Sequence, residues 1–231
     1  MLVSGRNNVK EVLNIDNLKI TKAILQDNFN EEKIISLINK KHIPIKYECK
    51  IKLDSIAKNN HQGVILIVED YLYSSVEEII DNKDKCIIMI LDHIEDPHNF
   101  GAIIRTVEAS GIDGIIIPIN RTVSVNETVM KTSVGTLYNV KIAQVNNLTN
   151  TIKKLKNKGF WVYGADMNGK DYRKINYPDK TILIIGNEGK GLSRIVKEET
   201  DEIISIPMYG KVNSLNASVA AGVLAYGIIK K

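Results

Sequence analysis

Three clusters in this chain have the residue types and spacing for chemistry. The first is Gly186-Asn-Glu-Gly-Lys-Gly-Leu192, directly after the apolar run Thr181–Ile185. Glycines there let a ligand approach the backbone and allow positive φ. The spacing G-x-x-G-x-G is not the dinucleotide fingerprint G-x-G-x-x-G. Gly189-Lys190 is followed by Gly191, so it is not a Walker phosphate loop either. The loop carries one carboxylate, Glu188. The second cluster, Ile206-Pro-Met-Tyr-Gly-Lys-Val-Asn-Ser-Leu-Asn216, follows the run Ile203–Ile206. It brings the polar groups Ser214 and Asn216 to the start of a helix, and Gly210 is expected to let the loop turn. The third runs from Leu91 to Gly111. Asn99 and Arg105 are under two helical turns apart, so Asn99, Ala102 and Arg105 or Thr106 point roughly together. Two readings of this pair are open. Asn99 is a helix cap and Arg105 pairs with Glu108, or both face a ligand. His93, His98, Asp92, Glu95 and Asp96 read as loop polarity. The histidines are five apart with no cysteine nearby, so no metal is expected.

The elements that must position these clusters alternate between strand and helix. Thr181–Ile185 and Ile203–Ile206 read as buried parallel strands. In an open α/β sheet ligands bind beyond the carboxyl ends of such strands, so both loops are expected to line one site. Upstream lie strands at Cys86–Leu91, Gly114–Pro118, Val140–Val145 and Phe160–Ala165. Helices are expected at Asn99–Ala109, Asn126–Thr132 and Leu148–Lys158. The closing helix, Leu215–Tyr226, has small residues on every face and so requires close packing on more than one side. Residues 1–70 read as a smaller αβ unit with strands at Ile20–Leu25, Ile43–Tyr47 and Val64–Val68. Its helices fall at Asn7–Leu13, Glu31–Lys40 and Leu53–Lys58, with a turn from Asn59 to Gly63. Asp70–Asp84 reads as a linker with a short helix, Val76–Asp81.

Composition excludes several classes. At 231 residues the chain suits one large domain or two small ones. With 44% hydrophobic and 25% charged residues it is globular, with no apolar run near a membrane span. No signal-peptide core is visible, and Cys49 and Cys86 are expected as reduced core residues in the cytosol. The net charge of +4 is spread evenly: eleven basic and nine acidic side chains to Asp70, twenty and eighteen after it. That permits nucleic acid without requiring it.

The three clusters, in this order near the C-terminus, resemble the SpoU/TrmH family of RNA ribose 2′-O-methyltransferases, within the SPOUT class. The residues that carry the resemblance are Asn99-Phe-Gly-Ala-Ile-Ile-Arg-Thr-Val-Glu-Ala-Ser-Gly111, Gly186–Gly191 and Ile206–Gly222. It covers roughly residues 86–231. Ser4–Leu13 and His61-Gln62-Gly63-Val64 are similar to the substrate-binding domain of the ribosomal-RNA branch, nearest the RlmB-like enzymes that methylate a guanosine in 23S rRNA.

The resemblance implies an α/β fold. A C-terminal SPOUT domain, residues 85–231, would carry a parallel sheet and a deep trefoil knot. A small N-terminal αβ substrate-binding domain with a ribosomal-protein-like fold would span residues 1–70, with 71–84 as linker. It implies S-adenosyl-L-methionine as cofactor, RNA as substrate and a homodimer. Cofactor contacts fall on Gly186, Ile206 and Leu215. Catalytic roles fall on Arg105, Asn99, Glu188, Ser214 and Asn216, with Asn216 orienting Arg105 or the ribose, or only capping its helix. Lys190 and Lys211 face solvent or RNA phosphate. A tRNA ribose methyltransferase and a non-catalytic RNA-binding module are the alternatives.

Overall fold

The computed structural model describes residues 1–15, 18–57 and 60–229. Lys58, at the end of the expected third helix, and Asn59, opening the expected turn, lie outside them. The chain forms two compact units, Met1–Leu72 with Val125–Tyr138, and Tyr73–Ser124 with Asn139–Lys231.

The first unit begins with β1 (Leu2–Ser4) and α1 (Arg6–Leu13), then β2 (Ile20–Gln26), α2 (Glu32–Lys40), β3 (Ile45–Glu48), α3 (Lys50–Ile56) and β4 (Val64–Val68). Its sheet runs β1-β4-β2-β3. β2 and β3 are parallel, and β4 is antiparallel to both of its neighbours. Two apolar residues before a helix are too short a run to read as a strand, and β1 was not expected. Ile34 and Ile38 of α2 are fully buried, the apolar stripe its sequence spacing calls for.

The second unit opens with α4 (Val76–Ile80), held by a reciprocal capping box between Ser75 and Glu78. Within the stretch read as a linker, Ser74 bridges to Ala143, and Ile79 and Ile80 enter the core. Then come β5 (Cys86–Asp92), α5 (Pro97–Ser110) and β6 (Gly114–Pro118). The segment Val125–Tyr138 belongs to the first unit and carries α6 (Glu127–Thr132), capped by Asn126. The second unit resumes with β7 (Ile142–Val145), α7 (Leu148–Lys156), β8 (Trp161–Asp171), β9 (Lys180–Gly186), α8 (Arg194–Lys197), β10 (Glu202–Ser205) and α9 (Ala217–Ile228).

These strands form one parallel sheet ordered β10-β8-β9-β5-β6-β7. Every residue of β5 is buried, as a strand covered on both faces requires. β5 and β9 pair in unbroken register from Cys86 with Lys180 to Asp92 with Gly186. Their carboxyl ends therefore finish side by side, and the loops after them are neighbours. β8, at 11 residues, is nearly twice the expected length and irregular. Ile203 pairs with Gly164, but the next residue, Ile204, pairs with Lys170. The intervening residues bulge out of the sheet, which re-aims their side chains. Gly169 ends the bulge where a Cβ would lie 2.5 Å from the Ile204 carbonyl carbon. No described helix is long and apolar enough to cross a membrane.

Two expectations are corrected. α5 starts at Pro97 rather than Asn99. Proline suits the first helical position, and Asp96 Oδ1 accepts the His98 amide at 2.8 Å, so Asp96 is the cap. The cysteines differ: Cys86 is buried in β5, whereas Cys49 is exposed just before α3. Burial pushes the Cys86 thiol up to about 12, with the Asp113 carboxylate adding to the shift. Native protein at pH 8 should therefore react with one equivalent of a thiol reagent, at Cys49, and with a second only in denaturant. Two fast equivalents in the native state would contradict this burial of Cys86.

Candidate active site

The glycine loop is closed on itself. The backbone amides of Asn187 and Gly191 each donate to the other's carbonyl, at 3.0 and 2.9 Å. Asn187 Oδ1 accepts the amides of Gly189 and Lys190, and its Nδ2 donates to the His93 carbonyl at 2.9 Å. His93 offers that carbonyl from the left-handed region, with φ 63°. A Cβ on Gly186 would lie 2.2 Å from the Gly191 carbonyl carbon, so no larger residue fits without moving the loop. Gly191 itself has φ 67°. Asp92, fully enclosed at the end of β5, fastens the far end of the loop. One carboxylate oxygen accepts the Ser193 amide at 2.6 Å and the other meets His93 Nδ1 at 2.6 Å. Asn187 and Asp92 are thus the organisers of the loop. Sequence reading named neither as such, because the contacts that tie the loop to β5, Asn187 to His93 and Asp92 to Ser193, span 94 and 101 residues of sequence.

Asn99 joins the three motifs. It sits in the first turn of α5 with only 7% of its surface exposed. Its Nδ2 donates to Glu188 Oε1 at 2.8 Å. Its Oδ1 accepts Asn216 Nδ2 at 3.0 Å. Asn216 Oδ1 in turn accepts the Ser218 amide at 2.9 Å and caps α9. Donor and acceptor roles follow along the chain from the carboxylate, which can only accept. Asn216 therefore caps α9 with its Oδ1 and donates to Asn99 with its Nδ2.

Arg105 and Ser214 stand apart from this network. Both are exposed. Among the described residues Arg105 forms no ion pair, so the alternative pairing with Glu108 is not made. Ser214 lies on the cavity wall beside Leu215. Gly210 has no left-handed φ, and a Cβ on it would meet nothing within 4 Å. The loop therefore turns there without needing glycine, contrary to expectation.

Between the two loops lies a cavity of ≈ 630 Å³. Gly186, Ile206 and Leu215, the three expected cofactor contacts, all line it, together with Glu188 and Ser214. Ile185, Ile204, Met208 and Leu224 make much of the wall apolar. The β8 bulge contributes Ala165 through Asn168, residues that sequence reading left unassigned. Gly164, inside the expected strand Phe160–Ala165, and Gly169 just beyond it were the available signal. Asp166 is paired with Lys197 at 2.7 Å, and that hydrogen bond lowers its carboxyl below the usual range. Lys190 is also on the wall. Among the described residues no group of three or more His, Cys, Asp or Glu side chains could hold a metal ion.

Comparison with known proteins agrees with this architecture. Residues 86–226 match the SpoU rRNA methylase family, and residues 2–74 match the RNA 2′-O ribose methyltransferase substrate-binding family. A Bacillus subtilis protein placed in the TrmH family of tRNA/rRNA methyltransferases, YacO, is 40% identical over 237 residues. The match covers 99% of this chain and 95% of that protein. The AdoMet-bound rRNA methyltransferase from Sinorhizobium meliloti is 26% identical, with a TM-score of 0.78 over 98% of this chain and 85% of its own. The TrmH/SpoU tRNA modifying enzyme of A. aeolicus is 31% identical with a TM-score of 0.57, over 66% of this chain and 78% of its own. With matched segments spanning both units and a relative similar along the whole length, this chain belongs to the SpoU/TrmH family of RNA methyltransferases.

Proposed function

We propose that this protein transfers a methyl group from S-adenosylmethionine to a ribose 2′-hydroxyl of RNA, with a guanosine of 23S rRNA as target. The observation that carries the reading is the cavity between two glycine-containing loops, walled by Glu188 of the Asn99-centred bridge. Its volume suits a nucleoside-sized ligand. Its apolar wall suits an adenine, and the Glu188 carboxylate suits a cationic sulfonium. Lys190 is the one Lys or Arg among the described residues of the wall. The Sinorhizobium meliloti protein crystallised with AdoMet supports the same ligand here. The substrate-binding match over residues 2–74 supports a division of labour: the first unit holds RNA and the second carries the chemistry. A tRNA ribose is the second reading, favoured by the likeness to the A. aeolicus tRNA modifying enzyme. The form proposed is a cytoplasmic homodimer, for which the exposed Val219 and Tyr226 of α9 offer an apolar contact.

Gly186, Ile206 and Leu215 would hold the cofactor largely through backbone groups, as their side chains carry no polar atoms. When bound, adenosylmethionine supplies an electrophilic methyl group on sulfur. A ribose hydroxyl is a poor nucleophile while protonated, so this chain has to orient it and ease its proton away. Arg105, exposed and without an ion pair, is available to an RNA phosphate. Neutralising a guanidinium at pH 7 costs about 8 kcal/mol, which disfavours its use as a base. Arg105 serves better as a bidentate phosphate clamp that positions the hydroxyl, whose proton leaves to water. Asn99, Glu188 and Asn216 keep the two loops and α5 in register. Ser214 presents its hydroxyl at the cavity wall for the ribose. One experiment tests the whole reading: mapping ribose methylation across rRNA and tRNA in cells lacking the protein. A map without a lost methyl would refute it.

Variants at three positions test the parts. Gly186→Val drives a side chain into the Gly191 backbone and should weaken adenosylmethionine binding roughly ten- to a hundredfold in calorimetry. Equal affinity would remove the glycine loop from the site. Asn99→Asp loses the donor to Glu188 and sets two carboxylates together. The single-turnover rate should fall roughly tenfold or more at pH 8 and partly recover as pH drops toward 5.5, where one carboxyl takes up a proton. A wild-type pH profile would show that the bridge plays no part. Arg105→Ala should lose about a hundred- to a thousandfold in rate with adenosylmethionine affinity unchanged. Arg105→Lys should retain part of the rate with a flat pH profile. A tenfold rise per pH unit in the Lys variant would instead make residue 105 the base.

A further inference from the structure

The loop between β10 and α9 leaves the cofactor cavity and returns to it. Ile206–Met208 line the cavity on the way out, and Asn213–Leu215 on the way back. The crest between them, Tyr209-Gly-Lys-Val212, is exposed throughout. Tyr209 is 84% exposed, the most exposed aromatic ring among the described residues. A ring in water gains nothing from packing, yet this one is held. Arg173 Nη2 donates to Tyr209 Oη at 2.9 Å. Arg173 is itself gripped by Asp171, with Nη2 to Oδ2 at 2.7 Å and Nε to Oδ1 at 2.9 Å. Between those two residues Tyr172 packs its ring against α9, where a Cβ on Gly227 would lie 2.5 Å from it. The hydroxyl of Tyr209 is thus anchored through a charged pair to the closing helix, while the body of the ring faces solvent. Lys211 stands two residues on, also exposed.

We propose that Tyr209 is a base-stacking platform: its ring takes the face of an RNA nucleobase beside the target ribose, and Lys211 meets the neighbouring phosphate. The proposal rests on the RNA-methylating reading above. An exposed aromatic next to a cation is the pairing that single-stranded nucleic acid uses, since every base has a π-face and every linkage a negative charge. The anchor fixes the ring before RNA arrives, so less ordering has to occur on binding. The position also links the two ligands. A ring stacked on a base at the crest holds the loop whose two ends line the cofactor cavity.

The test uses the full chain with unmodified 23S rRNA and tRNA transcripts, reading RNA affinity by filter binding alongside KM and kcat. Tyr209→Leu should weaken RNA binding and raise the RNA KM by on the order of ten- to a hundredfold. Adenosylmethionine affinity and the mass in solution should be unchanged. Tyr209→Trp should keep wild-type affinity. Tyr209→Phe and Arg173→Met, which remove only the anchor, should lose severalfold. Wild-type RNA affinity in Tyr209→Leu overturns the platform. So does Tyr209→Phe failing as badly as Leu, which would make the residue a loop tether. A changed mass in Tyr209→Leu would make it a contact between copies and also overturn the proposal. Wild-type protein that binds RNA but does not methylate it counts against the enzymatic reading alone, because the binding comparison still reads the ring.

Discussion

One buried carboxamide holds the second unit's chemistry together. Asn99 reaches Glu188 across 89 residues of sequence and Asn216 across 117. An amide can donate on one side and accept on the other, which neither a carboxylate nor a hydroxyl of this length does with fixed polarity. Burial makes the arrangement strict. A polar group enclosed at this level costs about 1–3 kcal/mol if a partner is lost, so the three segments stand or move as a set. Placing Asn99 inside the first turn of α5, behind the Asp96 cap, is what makes this possible. A residue at the cap itself would spend its side-chain oxygen on its own helix.

The sheet sets the distances over which such a bridge can act. β5 and β9 are central and apolar, and their unbroken register brings Asp92 and Gly186 to the same level. Asp92 then fastens Ser193 while the His93 carbonyl fastens Asn187. The glycine loop is therefore clamped at both ends by the strand beside it. Gly186 and Gly191 meet backbone to backbone inside it. A rigid loop of this kind presents amides and carbonyls in a fixed pattern, which suits recognition of an uncharged heterocycle better than a phosphate.

What the structure leaves bare is as ordered as what it binds. Arg105, Ser214, Tyr209 and Lys211 are all exposed in the same unit as the cavity. The glycine loop beside the cavity is hydrogen-bonded within itself and to β5, whereas the side proposed for RNA presents Arg105, Lys211 and the face of the Tyr209 ring to solvent. That asymmetry fits a large polyanion that supplies the missing contacts itself. Tyr209 shows how a bare group can still be fixed in place, through Arg173 and Asp171. The Arg173 guanidinium holds the Asp171 carboxyl down to about 2, below the usual carboxylate range near 3.8. The stability it adds is present above the unfolded value and fades only as pH falls toward the folded one, so the anchor is intact at neutral pH.

Local pattern carried much of this protein. The apolar runs of β4, β5, β6 and β9 are visible residue by residue, because a strand covered on both faces has no alternation to interrupt. Glycine spacing marked Gly186–Gly191 as a ligand loop and excluded the phosphate and dinucleotide patterns. The order of three motifs pointed to the family and to Arg105, Asn99, Glu188, Ser214 and Asn216 as a set, of which hydrogen bonds join Asn99, Glu188 and Asn216. Other features were out of reach for identifiable reasons. β1 is a strand only because β4 lies beside it. The β8 bulge, which puts four residues on the cavity wall, exists because β10 resumes pairing at Lys170 after Gly164. The helix opening at Asn99 moved to Pro97 because two capping residues, Asp96 and Asn99, compete and tertiary contacts claimed the second. Cys49 and Cys86 both read as core residues, but Cys49, between Glu48 and Lys50, falls before an exposed helix and Cys86 in the central strand. Sequence determined which residues could do chemistry, since residue type and local spacing are written in it. Only the tertiary structure decided which of them touch, because hydrogen bonds across a hundred residues depend on strand order and register that no local pattern encodes.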